Sequence, residues 1–275
     1  MNASCEPSGG RGGSATRAAR RVCERGRAEA QRAVTAPAAA DAPRVLADIA
    51  LEIDPDEILR FQGYKRGVDV PGPEVQALVD EALALGRRLI EPRAVVHWVA
   101  VTRREGDTLD AGGVALTVPG IERAWGPVAE LAAAVCTIGD PLERRGAELW
   151  EARELPLAVM LDSVGSGAVE SLAEYVNDVL CQEGIARGLK VTNRISPGYG
   201  AWDVAQQREL FRLCPGDSIG VRLNASCFMT PVKSISLLAG AGVTARVDHY
   251  FSQCARCWMR DCAYRRVPAQ KTVHR

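Results

Sequence analysis

Neither sign of charge is in surplus in this chain: 34 Lys and Arg stand against 34 Asp and Glu. The broad cationic field with which a nucleic-acid or polyanion binder captures its partner is therefore not expected. No apolar run approaches the ~18 residues that a membrane-crossing helix needs, and the amino terminus has no apolar signal-peptide core. With only three histidines in 275 residues, there is little material for an acid–base dyad or a nucleophile–histidine pair. A Gly-rich loop after a first strand, followed by an acidic strand end, is not apparent, which argues against an ordinary methyltransferase acting on a small molecule. Nine cysteines, an odd number scattered through the chain, argue against a secreted disulfide scaffold and for a reducing cytosol. We therefore expect a cytoplasmic protein with no nucleic-acid or membrane partner.

Hydrophobic residues make up 47% of the chain, enough for one large or two modest cores. They are unevenly spread. Residues 1–43 are mainly Gly, Ser, Ala and Arg with almost no large apolar residues, and such a segment cannot bury enough surface to offset its ordering entropy. A flexible arm is expected there, with a transient helix over Thr16–Val34; Glu24 and Glu29 argue against a transit peptide.

Ordered structure is expected from "RVLADIALEID", a strand ending at Asp54-Pro55, followed by a short helix in "PDEILRFQGY". "GPEVQALVDEALALGRRLI" predicts a helix: Pro73 suits its first turn, Glu74 its dipole, and Val75, Leu78, Val79, Ala82 and Leu83 form one apolar face. "AVVHWVAV" and "GVALTV" are strand-like, and His97 in the first reads as a half-buried strand residue. Cys136 sits in an apolar segment ending at Gly139 and reads as a small core residue; a helix opens at Asp140-Pro141. Residues 155–188 predict a long helix with a Gly-Ser-Gly interruption at Gly165–Gly167. Asp162, Glu170, Glu174 and Asp178 share roughly one face of it, which reads as a solvated surface unless something binds there. The irregular mixture of helices and strands, without repeats, points to α+β.

The stretch "NRISPGYGAWDVAQQRELF" is unusual. Arg194 supplies a planar donor fork suited to a carboxylate, Pro197 and two glycines shape a tight loop, and Asp203 can cap a helix through Leu210. Turn punctuation and a small-ligand loop explain it equally well.

"RISPGYGAWDVAQQRELFRL" resembles the Arg-x-x-Pro-Gly-Tyr motif of the activation domain of cobalamin-dependent methionine synthase. "LNASCFMTPVKSISLLAG" is similar to that family's Ser-x-x-Met-x-Pro-x-x-Ser-x-Ser pattern, and "CTIGDPLE" and "LDSVGSGAVESLAEY" resemble stand-alone relatives. The likeness spans about residues 44–250. It implies an α+β fold with a mixed, mainly antiparallel twisted sheet and flanking helices, and a site for S-adenosylmethionine used to remethylate a corrinoid whose cobalt has oxidised. By the same likeness Arg194 would hold the methionyl carboxylate and Glu170 the ammonium. Ser196, Gly198 and Tyr199 would line the adenosyl group, with Tyr199 offering its ring face to the sulfonium. The implied partners are a corrinoid (cobalamin) protein or methyltransferase and an electron donor such as flavodoxin or ferredoxin.

There are departures from that pattern. The acid of an early Asp-Trp segment has no clear match, "WDVAQQ" lacks the family's His and second Pro, and Tyr250-Phe251 corresponds only loosely to a Tyr-Tyr pair. Homocysteine, folate and cobalamin modules are not represented, so the chain would be an auxiliary component of methionine synthase-type methyl transfer. No catalytic side chain is assigned.

Residues 251–275 form a Cys-rich tail in which Cys254, Cys257 and Cys262 make C-x2-C-x4-C. Thiolates at that spacing can converge on one soft metal, stabilised by Arg256, Arg260, Arg265 and Arg266. An iron–sulfur cluster and a zinc site with His249 or Cys227 as fourth ligand are both open, as is a reactive thiol pair. The alternative function is a non-catalytic nucleoside-binding sensor or scaffold with a structural zinc tail.

Overall fold

The computed structural model describes residues 42–247. The arm expected over 1–43, apart from its last two residues, and the Cys-rich tail with His249, Tyr250 and Phe251 lie outside the described residues.

Strand β1 (Arg44–Leu46) is shorter than the sequence suggests, because Asp48 adopts a left-handed φ of 55° and breaks the extended run. Helix α1 (Pro55–Phe61) opens at Asp54, whose carboxylate accepts from the Asp56 N–H, and has Pro in its first turn. Helix α2 (Pro73–Leu89) buries Val79, Ala82 and Leu83 as the apolar periodicity predicts. Strand β2 (Arg93–Glu105) turns into β3 (Thr108–Ala111) and β4 (Val114–Thr117), followed by the short helix α3 (Ile121–Trp125). Strand β5 (Glu130–Thr137) leads to α4 (Pro141–Glu151) and the 32-residue α5 (Leu155–Ala186). The expected Gly-Ser-Gly interruption is absent: α5 runs unbroken through Gly165–Gly167 because tertiary packing on both sides holds it. After β6 (Lys190–Val191), a 3-10 turn (Val204–Gln206) introduces α6 (Gln207–Leu213). Strands β7 (Arg222–Leu223), β8 (Met229–Thr230) and β9 (Ser234–Gly242) follow.

The main sheet runs β4-β3-β2-β5-β9-β6, with β1 also paired to β2, and every pairing among the described strands is antiparallel. The period-two alternation of β2, β5 and β9 sends side chains to opposite faces. Val96, Trp98, Ala132, Ala134, Cys136, Leu237 and Ala239 meet α2, α4 and α5 in one core. Val95, Leu131, Ala133, Val135 and Leu238 meet the β3–β4 hairpin, α3, α6 and the loop bearing Trp202 in a second. Among the described residues no helix is long and apolar enough to cross a membrane.

Glycine decides how α5 sits. A Cβ on Gly184 would lie 2.2 Å from Val191 Cγ2, and one on Gly165 would lie 2.8 Å from Leu142 Cδ2. Gly184 therefore lets β6 close against the helix, which carries the chain beyond β6 beneath the acidic face of α5.

Candidate functional site at the end of the sheet

The chain leaves β6 still extended along β9. Thr192 N donates to Gly240 O at 2.8 Å, and Ile195 and Leu238 exchange two backbone bonds of 2.9 and 2.8 Å. Successive side chains consequently alternate across this end of the sheet. Arg194 turns toward α5, where its Nη2 donates to Glu170 Oε2 at 3.0 Å and Glu174 Oε1 at 2.9 Å. Asn193 and Ile195 on either side of it line a cavity on the opposite face.

The Arg194 side chain is 18% exposed, whereas Glu174 is 58% exposed and Glu170 24%. Burial by itself would lower the pKa of the Arg194 guanidinium. The two carboxylates outweigh it, and the net direction is upward, so the group stays charged. Among the described residues one cation thus faces two anions, with Asp178 a turn beyond Glu174. The Asp178 carboxyl is pushed up by partial desolvation and by the charge of Glu174. The acidic face of α5 is not simply solvated: at its other end Asp162 Oδ1 lies 2.8 Å from Lys233 Nζ, which also donates to Ser166 Oγ at 2.9 Å.

Beyond Arg194, Ser196 is buried and the chain folds into a tight loop. Tyr199 N donates to Ser196 O at 3.2 Å, Trp202 N to Tyr199 O at 3.1 Å and Gly198 N to Trp202 O at 2.9 Å. Gly198 and Gly200 hold φ values of 90° and 59°, where a side chain would be strained. Asp203 Oδ1 accepts from Ala205 N at 2.9 Å and caps the 3-10 turn leading into α6, as expected. Tyr199 is half exposed at the rim of a cavity of about 260 Å³ walled by Ile121, Trp125, Ile195 and Trp202, with Arg246 at its edge.

The structure therefore joins Arg194 to Glu170 directly and adds Glu174, which had no individual role on sequence grounds. Tyr199 lies at the cavity, while Arg194, Glu170, Ser196 and Gly198 are not part of its lining. Trp202 and Lys233 were missed: Trp202 carries only a hydrophobic signal and Lys233 none. His97 is a half-buried strand residue whose Nδ1 lies 2.6 Å from Leu213 O. Cys136 is a core thiol pushed up to about 12 by burial, an effect the Arg194 charge partly opposes. Among the described residues no group of three or more His, Cys, Asp or Glu could hold a metal ion; Cys254, Cys257 and Cys262 lie outside them.

No protein-family model matches the chain, and no curated protein does. Among solved structures it is similar to the crystal structure of the MetH reactivation domain bound to AdoHcy. The TM-score is 0.55 at 16% identity, over 81% of this chain and 84% of that one. The chain has the α+β fold of that reactivation domain.

Proposed function

We propose that the chain binds S-adenosylmethionine at the Arg194–Glu170–Glu174 corner and supports reductive remethylation of a corrinoid held by a partner protein. The observation that carries this is the charged corner itself, on a fold whose solved neighbour was crystallised with AdoHcy. An α-amino acid presents an ammonium beside a carboxylate. Arg194 would take the carboxylate through charge-assisted hydrogen bonds, and Glu170 the ammonium. Ser196, Gly198 and Tyr199 would follow the adenosyl end, since their glycine-bounded backbone permits close approach. When bound, the ligand would supply the methyl group that the reduced corrinoid accepts. The chain's own residues bind and orient it, so catalysis is chiefly positioning.

The remaining elements of the proposal rest on sequence. Residues 44–250 act as the activation-like unit in the cytoplasm, an electron donor such as flavodoxin or ferredoxin supplies reduction, and Cys254, Cys257 and Cys262 hold a soft metal. An anaerobic preparation free of iron, labile sulfide and zinc would remove that last element. The central test is calorimetric titration with S-adenosylmethionine beside Arg194→Ala. Saturable binding by the native chain, weakened roughly 10–100-fold in the variant, is expected; a folded native chain that binds nothing overturns the proposal.

A further inference from the structure

The groove between α4 and α5 is walled by apolar side chains that the fold leaves uncovered. Trp150 is 59% exposed, Val232 72% and Val159 43%, and all three line one cavity of about 460 Å³ together with Leu142, Ala147 and Ala158. That volume falls in the range of small-molecule sites. An ion pair stands at its edge, since Lys233 and Asp162 both belong to the lining and Lys233 Nζ lies 2.8 Å from Asp162 Oδ1. The two members differ in exposure: the Lys233 side chain is 13% exposed and that of Asp162 68%. Gly165 makes room for the lysine stem, because a Cβ there would lie 3.2 Å from Lys233 Cε. An ammonium has three N–H groups, and among the described residues Asp162 and Ser166 take two of them. Glu143, the other acid of the lining, is already committed. It accepts from Lys233 N at 3.0 Å, and it sits in the first turn of α4, where the positive end of the helix offsets its charge.

We infer that this groove binds an α-amino acid with an apolar side chain, its carboxylate on Lys233, its ammonium on Asp162 and its side chain against Trp150 and Val159. A zwitterionic head adds no net charge to a neutral ion pair and gives each member a second partner. A carboxylate alone would bring a further anion beside Asp162 and Glu143, and an amine alone would compete with Lys233 for Asp162. The apolar walls favour burial of the ligand's side chain. This groove takes its cation from the residue before β9 and shares no residue with the Arg194 corner. The inference therefore stands apart from the S-adenosyl proposal.

The test titrates the full chain calorimetrically with L-phenylalanine and L-leucine, beside hydrocinnamate and phenethylamine, which keep the ring and lack the ammonium or the carboxylate. At least one of the amino acids should bind saturably, and both single-headed analogues should bind about tenfold more weakly or worse. Lys233→Met keeps the stem on Gly165 and removes the charge. Ala147→Phe, at an exposed lining position, fills the groove from its solvent side. Each variant should weaken the amino acid about tenfold, whereas Arg194→Ala should leave its binding unchanged. If Lys233→Met does not fold, Ala147→Phe and the analogues decide the matter. Failure of both amino acids to bind the native chain overturns the inference, as does an analogue that binds equally well. Amino-acid binding that is lost in Arg194→Ala and kept in Ala147→Phe moves the seat to the Arg194 corner and overturns it too. A chain that binds the amino acid in the groove and ignores S-adenosylmethionine upholds this site and sinks the proposed function instead.

Discussion

Helix α5 carries two charged clusters, and they are built differently. Toward its carboxyl end Glu183 is 5% exposed and accepts from Trp98 Nε1 at 2.8 Å and from Arg44. Arg187 stacks on the Trp98 ring at 4.2 Å and pairs with Glu130 at 2.5 Å. Two cations meet two anions, closed in by an aromatic ring. Near the middle of the same helix, Arg194 meets two carboxylates, one of them well exposed. Matched, enclosed charge ties β1, β2 and β5 to the helix. Unequal charge open to solvent has a member it can exchange for a ligand. Both are buried-charge clusters in a loose sense, yet among the described residues the second carries the imbalance that favours binding.

That contrast can be broken most sharply at Glu183. Glu183→Ala leaves Trp98 and Arg44 without their shared acceptor and should cost about 3 kcal/mol, or roughly 10 °C in Tm. A Tm within two or three degrees of native would show that the closed cluster is not structural. A smaller effect is expected at Glu174, which competes with an incoming carboxylate for Arg194. Glu174→Gln should bind S-adenosylmethionine a few-fold more tightly with Tm nearly unchanged, because the charged acceptor becomes a neutral one. Weaker binding would instead make Glu174 a ligand contact.

The smallest effect is expected at Asp178. Its folded carboxyl titrates above the ordinary value, so the group favours the fold while protonated, and that contribution is lost as pH rises through the folded pKa. Asp178→Asn should therefore raise Tm slightly at pH 7 and leave it unchanged near pH 3. The same variant in a Glu174→Gln background should gain less, since Glu174 contributes to the shift. A gain confined to acid pH would reverse the assignment.

Several elements were readable because their causes are local. Pro73 and the apolar face of Val79, Ala82 and Leu83 mark α2, and Asp203 marks the cap before α6. The strand Thr108–Ala111 was not expected, since four residues joined to β2 by a two-residue turn offer almost no periodicity. The first strand is shorter than its apolar pattern because the left-handed turn at Asp48 has no sequence signal. Glycines read as an interruption in α5 prove to be contact points: Gly165 meets Leu142 and Lys233, and Gly167 meets Ile53 and Ile58, all distant in the chain. At the site, Arg194 and Glu170 could be named individually, while their direct pairing could not.

The sequence by itself determined the helices with strong periodicity, the α+β class, and the Arg-Pro-Gly-Tyr-Gly loop, because each depends on propensities and dihedral limits within a few residues. The tertiary structure alone decided which charges meet and which are left over. Close packing of β6 on Gly184 sets Arg194 beneath two acids, and strand alternation sends Asn193 and Ile195 to the other face, against the cavity that Trp125 and Trp202 wall. Such pairings depend on register and helix placement, which arise only when distant segments compete for the same buried space.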